Sequence, residues 1–158
     1  VICILFYLVA MLVIVIDQLS KYLIRETLHV GDTIEVWEGV LHFTYIQNSG
    51  AAFGLFEGYG RLFVPVAMIV TVLSMYMLRK GHINGKLLVI GTGLFVGGAI
   101  GNAIDRVLFN QVTDFIHFTY RQGILNFADY ALSFGVLLIL IDTLIMDVIK
   151  KRKSTDLK

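Results

Sequence analysis

The sequence predicts an all-α polytopic membrane protein: four transmembrane helices carrying a small extracytoplasmic β-cradle and a short interfacial helix. Three observations carry this expectation. First, 57% of the 158 residues are hydrophobic, mean hydropathy is +0.79 and there is one proline, which lies outside the usual make-up of soluble domains. Second, four apolar segments, about 1–22, 62–78, 87–104 and 127–149, match the roughly 17 to 25 residues that a helix needs to cross the hydrocarbon. Third, the stretch between the first two segments changes period and becomes rich in β-branched and aromatic residues. The chain reads as one membrane domain, 1–158, with connecting segments 25–61 and 105–126 on one face.

The net charge of +1 decides little, because in a membrane chain the placement of charge matters more than its sum. Nothing in the composition suggests nucleic acid. Basic residues gather in the loop holding Arg79, Lys80 and Lys86 and in the tail from Lys150 to Lys153. A four-span chain puts both on the same side, and the positive-inside rule makes that side cytoplasmic. Both termini are then cytoplasmic, and 25–61 and 105–126 face outward. Cys3 is the only cysteine, so an intrachain disulfide is excluded; it is expected to pack or to face lipid. The first apolar run has no basic stretch before it and no small-residue cleavage site, so it reads as a retained span.

The first span ends in Asp17, Gln18, Leu19, Ser20 and Lys21. Asp17 and Lys21 are four residues apart, which predicts an intrahelical ion pair at the outer interface and leaves room for a role at a site. Thr33 to Trp37 and Val40 to Gln47, joined through Glu38 and Gly39, read as a hairpin curled over the bundle mouth. Its edge offers a place for an extended peptide to add as a strand. Trp37, Phe43 and Tyr45 are expected among lipid headgroups. Asn48 to Phe56 is apolar with glycines at both ends and reads as the short interfacial helix or flap.

Pro65 falls in the first turn of the second span, where proline is tolerated. In the third, Gly93, Gly97 and Gly101 form a smooth stripe for close helix packing, which would hold Asn102, Asp105 and Arg106 rigidly. Arg106 could simply pair with Asp105. The fourth span begins near Asp129 and carries Asp142 about 20 Å further along. Asp142 is expected to pair with a basic side chain of the inner loop, and Asp147 with Lys151.

The stretch from Gly97 to Asp129 concentrates carboxylates, arginines and amides at a bilayer boundary, where ionisable groups are costly to place. A metal centre fits poorly: His29, His42, His82 and His117 are scattered and no HExxH or paired-cysteine spacing occurs. Ser49 with Lys21 is conceivable as nucleophile and base, but no glycine-flanked nucleophile turn surrounds Ser49. Asp114 and Asp129 remain. Two carboxyl groups facing each other in a partly desolvated cleft share one proton, and such a pair can hydrolyse an amide with water. Asn126 is placed to cap the last helix or to donate to the carboxylates. From these residues alone, a proton or ion path and structural pairing stay open beside the dyad.

Five ordered motifs narrow the choice: DQLSK at 17–21, NSGAAFG at 48–54, GGAIGNAIDR at 97–106, VTDF at 112–115 and NFAD at 126–129. Together they resemble the bacterial lipoprotein signal peptidases, the type II signal peptidases, over nearly the whole chain. The resemblance implies an intramembrane aspartyl endopeptidase with Asp114 and Asp129 as its catalytic aspartates. It implies that Asn48, Gly50, Asn102, Arg106, Asn126 and Ala128 shape the site or bind substrate and globomycin-type peptide inhibitors. Asp17, Lys21 and Asp105 take supporting positions. The implied substrate is a diacylglyceryl prolipoprotein, cut just before its lipidated cysteine at the outer face of the cytoplasmic membrane; no metal or cofactor is expected, and a monomer is the default expectation. Leu125 departs from the phenylalanine usual in the family, and the loop between the two aspartates is short. A small proton-coupled carrier is the competing expectation; it would need acids spaced through the bilayer.

Overall fold

The computed structural model describes residues 2–50 and 57–155. Helix α1 (Ile2–Thr27) leads into strands β1 (Thr33–Trp37) and β2 (Leu41–Asn48). A 3-10 turn (Gly60–Leu62) opens α2 (Phe63–Arg79), followed by α3 (Lys86–Phe109), β3 (Val112–Phe118) and α4 (Phe127–Thr155). All four helices are long and apolar enough to cross a membrane. The expected interfacial element falls mostly on residues 51–56, outside the described ones.

Helix α3 is the centre of the bundle. Over its apolar stretch 56% of α3 is buried, against 17% for α1, 11% for α2 and 6% for α4, whose outward faces carry the residues that suit lipid. Its glycines explain why. Gly93 and Gly97 lie against Phe6, Val9 and Ala10 of α1, and a Cβ at Gly97 would come within 2.8 Å of the Ala10 carbonyl. A second set turns the other way: Gly91 faces Gly135, and a Cβ at Gly98 would lie 2.5 Å from the Ala128 carbonyl of α4. The sequence pattern exposed the first stripe and hid the second, because Gly135 completes it from another helix.

Helix α3 also runs further than its apolar residues suggest. It ends at Phe109 and is capped by Asn110 in the left-handed conformation (φ 63°), a residue type that tolerates this region. Asp105 and Arg106 therefore belong to the helix and not to the following loop. The chain then reverses into β3, which the sequence showed only as a short extended stretch around Asp114.

The three strands form one antiparallel sheet in the order β1-β2-β3. Burial falls across it, from β3, whose first five residues are all buried, to a wholly exposed β1. Ile24 and Leu28 at the end of α1 pack with Tyr45, Phe115 and Ile116, fastening the sheet to the bundle. This corrects the headgroup expectation for two of three aromatics. Tyr45 is 5% exposed and Phe43 meets Phe115 edge-on at 5.5 Å, so both pack inward, while Trp37 stays 66% exposed.

Asp142 is also placed differently from expectation. It has no ion pair among the described residues; its Oδ1 sits 3.1 Å from where a Cβ on Gly85 would stand, at the N-terminus of α3. Replacing Gly135 with alanine should lower stability by about 1–3 kcal/mol, since the new methyl would lie 2.7 Å from the Gly91 carbonyl, a backbone atom. Thermal unfolding in detergent checks this, and a serine or alanine at exposed Gly39 or Gly81 is not a suitable control because both glycines have positive φ.

Candidate active site

At the end of the bundle that carries the sheet, two elements bring two carboxylates to one cavity of about 310 Å³. Asp114 comes from the buried edge of β3 and Asp129 from the first turn of α4. Asn48, Asn102 and Arg106 line the same cavity.

Each carboxylate is held by amides. Asp114 accepts from Asn48 Nδ2 at 3.0 Å and from Asn126 Nδ2 at 2.5 Å. Asp129 accepts from Asn102 Nδ2 at 2.8 Å and from the Asn126 backbone N–H at 3.2 Å. Asn126 Oδ1 in turn accepts the Asp129 N–H at 2.9 Å, a reciprocal capping arrangement at the start of α4. Both expected roles of Asn126 are thus present: one residue starts the helix and joins the two acids. Because each carboxylate oxygen can accept twice, room remains for a proton, water or substrate.

The Asp114 carboxyl is pushed up to about 7, first by burial and then by the negative charge of Asp129, against the lowering effect of the Asn48 and Asn126 hydrogen bonds. Neutral donors lower it less than a contacting cation would. Lys21 lowers it by charge without contacting it, and Arg106, which lines the cavity, donates instead to the Gly50 carbonyl at 3.0 Å and the Asn102 carbonyl at 3.4 Å and lies over the Phe63 ring. The possible Arg106–Asp105 pair is not formed; Asp105 turns away.

Asp105 faces a buried ionic cluster beneath the cavity. Lys21 Nζ meets Asp17 Oδ2 at 2.8 Å, Asn102 Oδ1 at 2.9 Å and Asp105 Oδ2 at 3.5 Å, and all three charged side chains are 0% exposed. The predicted Asp17–Lys21 pair exists, and its side chains are buried within the protein. Asp17 Oδ1 also accepts the Ala128 N–H at 2.9 Å, and Asp105 Oδ2 accepts the Thr113 N–H at 2.9 Å. These contacts fix the residues next to Asp129 and Asp114. Gly50, by contrast, enters through its backbone, its N–H donating to Asn48 Oδ1 and its carbonyl accepting from Arg106.

The family model for signal peptidase (SPase) II matches residues 9–145. The chain belongs to the signal peptidase II family. That family is one of aspartic peptidases, so the protein is a multi-pass membrane protease of a family that removes lipoprotein signal peptides. It is also similar to two solved bacterial membrane enzymes, determined by the in meso method at 2.3 and 1.9 Å resolution. Both are 36% identical to it; they match with TM-scores of 0.85 and 0.80 over 92% and 88% of this chain and 90% and 92% of theirs.

Several residues around the signal peptidase II cavity escaped the sequence reading. Arg121, Gln122, Gly123 and Ile124 form a wall from the β3–α4 loop, and Leu132 and Ser133 continue the cavity down α4. Ser133, one turn beyond Asp129, was the one with a periodic signal. Arg25, one turn beyond Lys21, reaches Asp105 at 3.6 Å and Thr113 Oγ1 at 3.0 Å.

Lys21→Met would leave Asp17 and Asp105 buried with their shared cation removed. It should destabilise the protein by about 3–5 kcal/mol, and the double variant Lys21→Met/Asp17→Asn should recover part of that loss. Unfolding in detergent of both variants beside the unaltered protein checks the order.

Proposed function

We propose that this protein is an aspartyl endopeptidase that cuts diacylglyceryl prolipoproteins immediately before the lipidated cysteine, with Asp114 and Asp129 as the catalytic pair. The observation that carries the reading is the shared cavity in which one carboxyl is raised to about 7 beside the charge of the other. Asp129, as the charged member, takes a proton from water as the oxygen attacks the scissile carbonyl, while Asp114 gives its proton to the carbonyl oxygen. The resulting diol collapses with cleavage of the C–N bond; Asp129 passes its proton to the leaving amine and Asp114 regains one from a diol hydroxyl. No covalent enzyme intermediate forms.

Asn48, Asn102 and Asn126 hold the two acids, while Arg106 and Gly50 border the place where the substrate backbone lies. Ala128 presents its N–H to Asp17 and, with Lys21 and Asp105, keeps the end of α4 in position. By the placement of basic residues, both termini are cytoplasmic and the site faces the outer leaflet, where a lipid-anchored substrate presents its cut bond. Confinement of both molecules to the membrane replaces part of the orientation that a soluble protease must impose. The same cavity would receive globomycin-type peptides, and the enzyme works as a monomer.

Asp114→Asn and Asp129→Asn should each reduce cleavage of a lipidated precursor by roughly 10²–10⁴-fold. Melting temperatures close to that of the unaltered protein should accompany the loss; full turnover in either variant would remove the dyad. Because the working form needs the proton on Asp114, kcat/KM should fall as pH rises through about 7, with the slope of one proton. A pH profile that is flat from 6 to 9 would contradict this assignment.

A further inference from the structure

A second cavity of about 290 Å³ adjoins the first and shares Asn48, Gly123 and Ile124 with it. The two differ in where their walls come from. The first takes Asn102 and Arg106 from α3 and Leu132 and Ser133 from α4, so it opens toward the membrane-spanning part of the bundle. The second is lined by the end of β2, the residues just after it, Glu57 and the β3–α4 loop; none of its lining residues lies in a spanning helix. Gln47 and Glu57 give it a polar side, and Glu57 is the only acidic or basic side chain among the described residues lining it.

We infer that the two cavities are successive parts of one substrate channel, and that Glu57 selects the residues that follow the lipidated cysteine. This rests on the peptidase reading given above. The direction of the chain follows from polarity. The segment before the cut is an apolar helix that must stay with the bilayer, so it occupies the cavity bordered by Leu132 and Ser133. The residues after the cut belong to the mature protein and enter water, and the way out from Asp114 passes the Asn48 threshold. Asn48 is suited to that place: it donates to Asp114 Oδ2 on one side and accepts from the Gly50 N–H on the other. A basic side chain arriving on the far side meets Glu57, and an acidic one is repelled.

Glu57 is exposed, so the selection is modest. An ion pair in such a position corresponds to about a two- to fivefold preference, and salt weakens it. The test compares kcat/KM for lipidated precursor peptides carrying lysine or glutamate at the second, third or fourth residue after the cysteine. The unaltered enzyme should favour lysine about two- to fivefold at one of these positions at low ionic strength, and the ratio should shrink in 1 M salt. Glu57→Gln should bring the ratio to one, and Glu57→Lys should reverse it; since each ratio is taken within one enzyme, a general loss of activity cancels. A ratio of one at all three positions, or a preference unchanged in Glu57→Lys, overturns the inference while leaving the peptidase reading intact. Failure of the unaltered enzyme to cut any of the lipidated peptides overturns both.

Discussion

The site depends on a single ammonium group buried in the bundle. Lys21 has three N–H donors and meets three acceptors, from Asp17, Asp105 and Asn102, with no exposure of its side chain. Ion pairs are costly to bury, and they persist when good geometry and further hydrogen bonds satisfy the remaining lone pairs. Here those further bonds lead outward. Asp17 binds the Ala128 N–H, Asp105 binds the Thr113 N–H, and Asn102 passes from Lys21 to Asp129. Three of the elements that frame the cavity are therefore tied to one cation on α1.

The cation is kept one amide away from the acids, and that distance has a chemical consequence. A lysine bonded directly to Asp114 or Asp129 would favour the charged form of its partner and work against a shared proton. Asn102 transmits position without transmitting a full charge, since it accepts from Lys21 with its oxygen and donates to Asp129 with its nitrogen. Asn48 and Asn126 likewise hold Asp114 with neutral N–H donors. Neutral groups therefore hold the two carboxyls, and burial together with the charge of Asp129 is left to push the Asp114 carboxyl up to about 7, which contacting cations would oppose.

Much of this was legible in the sequence, and the parts that were not have identifiable reasons. The four spans, the β1–β2 hairpin and the Asp17–Lys21 spacing follow from local periodicity, which the sequence displays directly. The third strand did not stand out because Val112 to Phe118 is buried on both faces at its start and shows no alternation. The second glycine surface needed Gly135 to be set against Gly91, a pairing between helices that no single segment reveals. Asp105 and Arg106, neighbours in sequence, invited a pairing that the helix forbids in practice: they point to different sides, one to Lys21 and one to the cavity. The loop wall from Arg121 to Ile124 carries no motif, since it contributes mainly by position.

The glycine surfaces and the ionic cluster are two aspects of one constraint. For Asp17 on α1 to reach the Ala128 N–H on α4, it must cross the face of α3 that lies between them. It does so over Gly101, where a Cβ would stand 2.6 Å from Asp17 Oδ2. One turn earlier, Gly98 lets the Ala128 carbonyl come as near on the other side. A side chain at either position would part α4 from α3 just where the first turn of α4 carries Asp129. Close packing in this bundle therefore serves more than helix association. It sets the separation across which a carboxylate on one helix can hold the N-terminus of another, and so determines where the acid at that terminus stands.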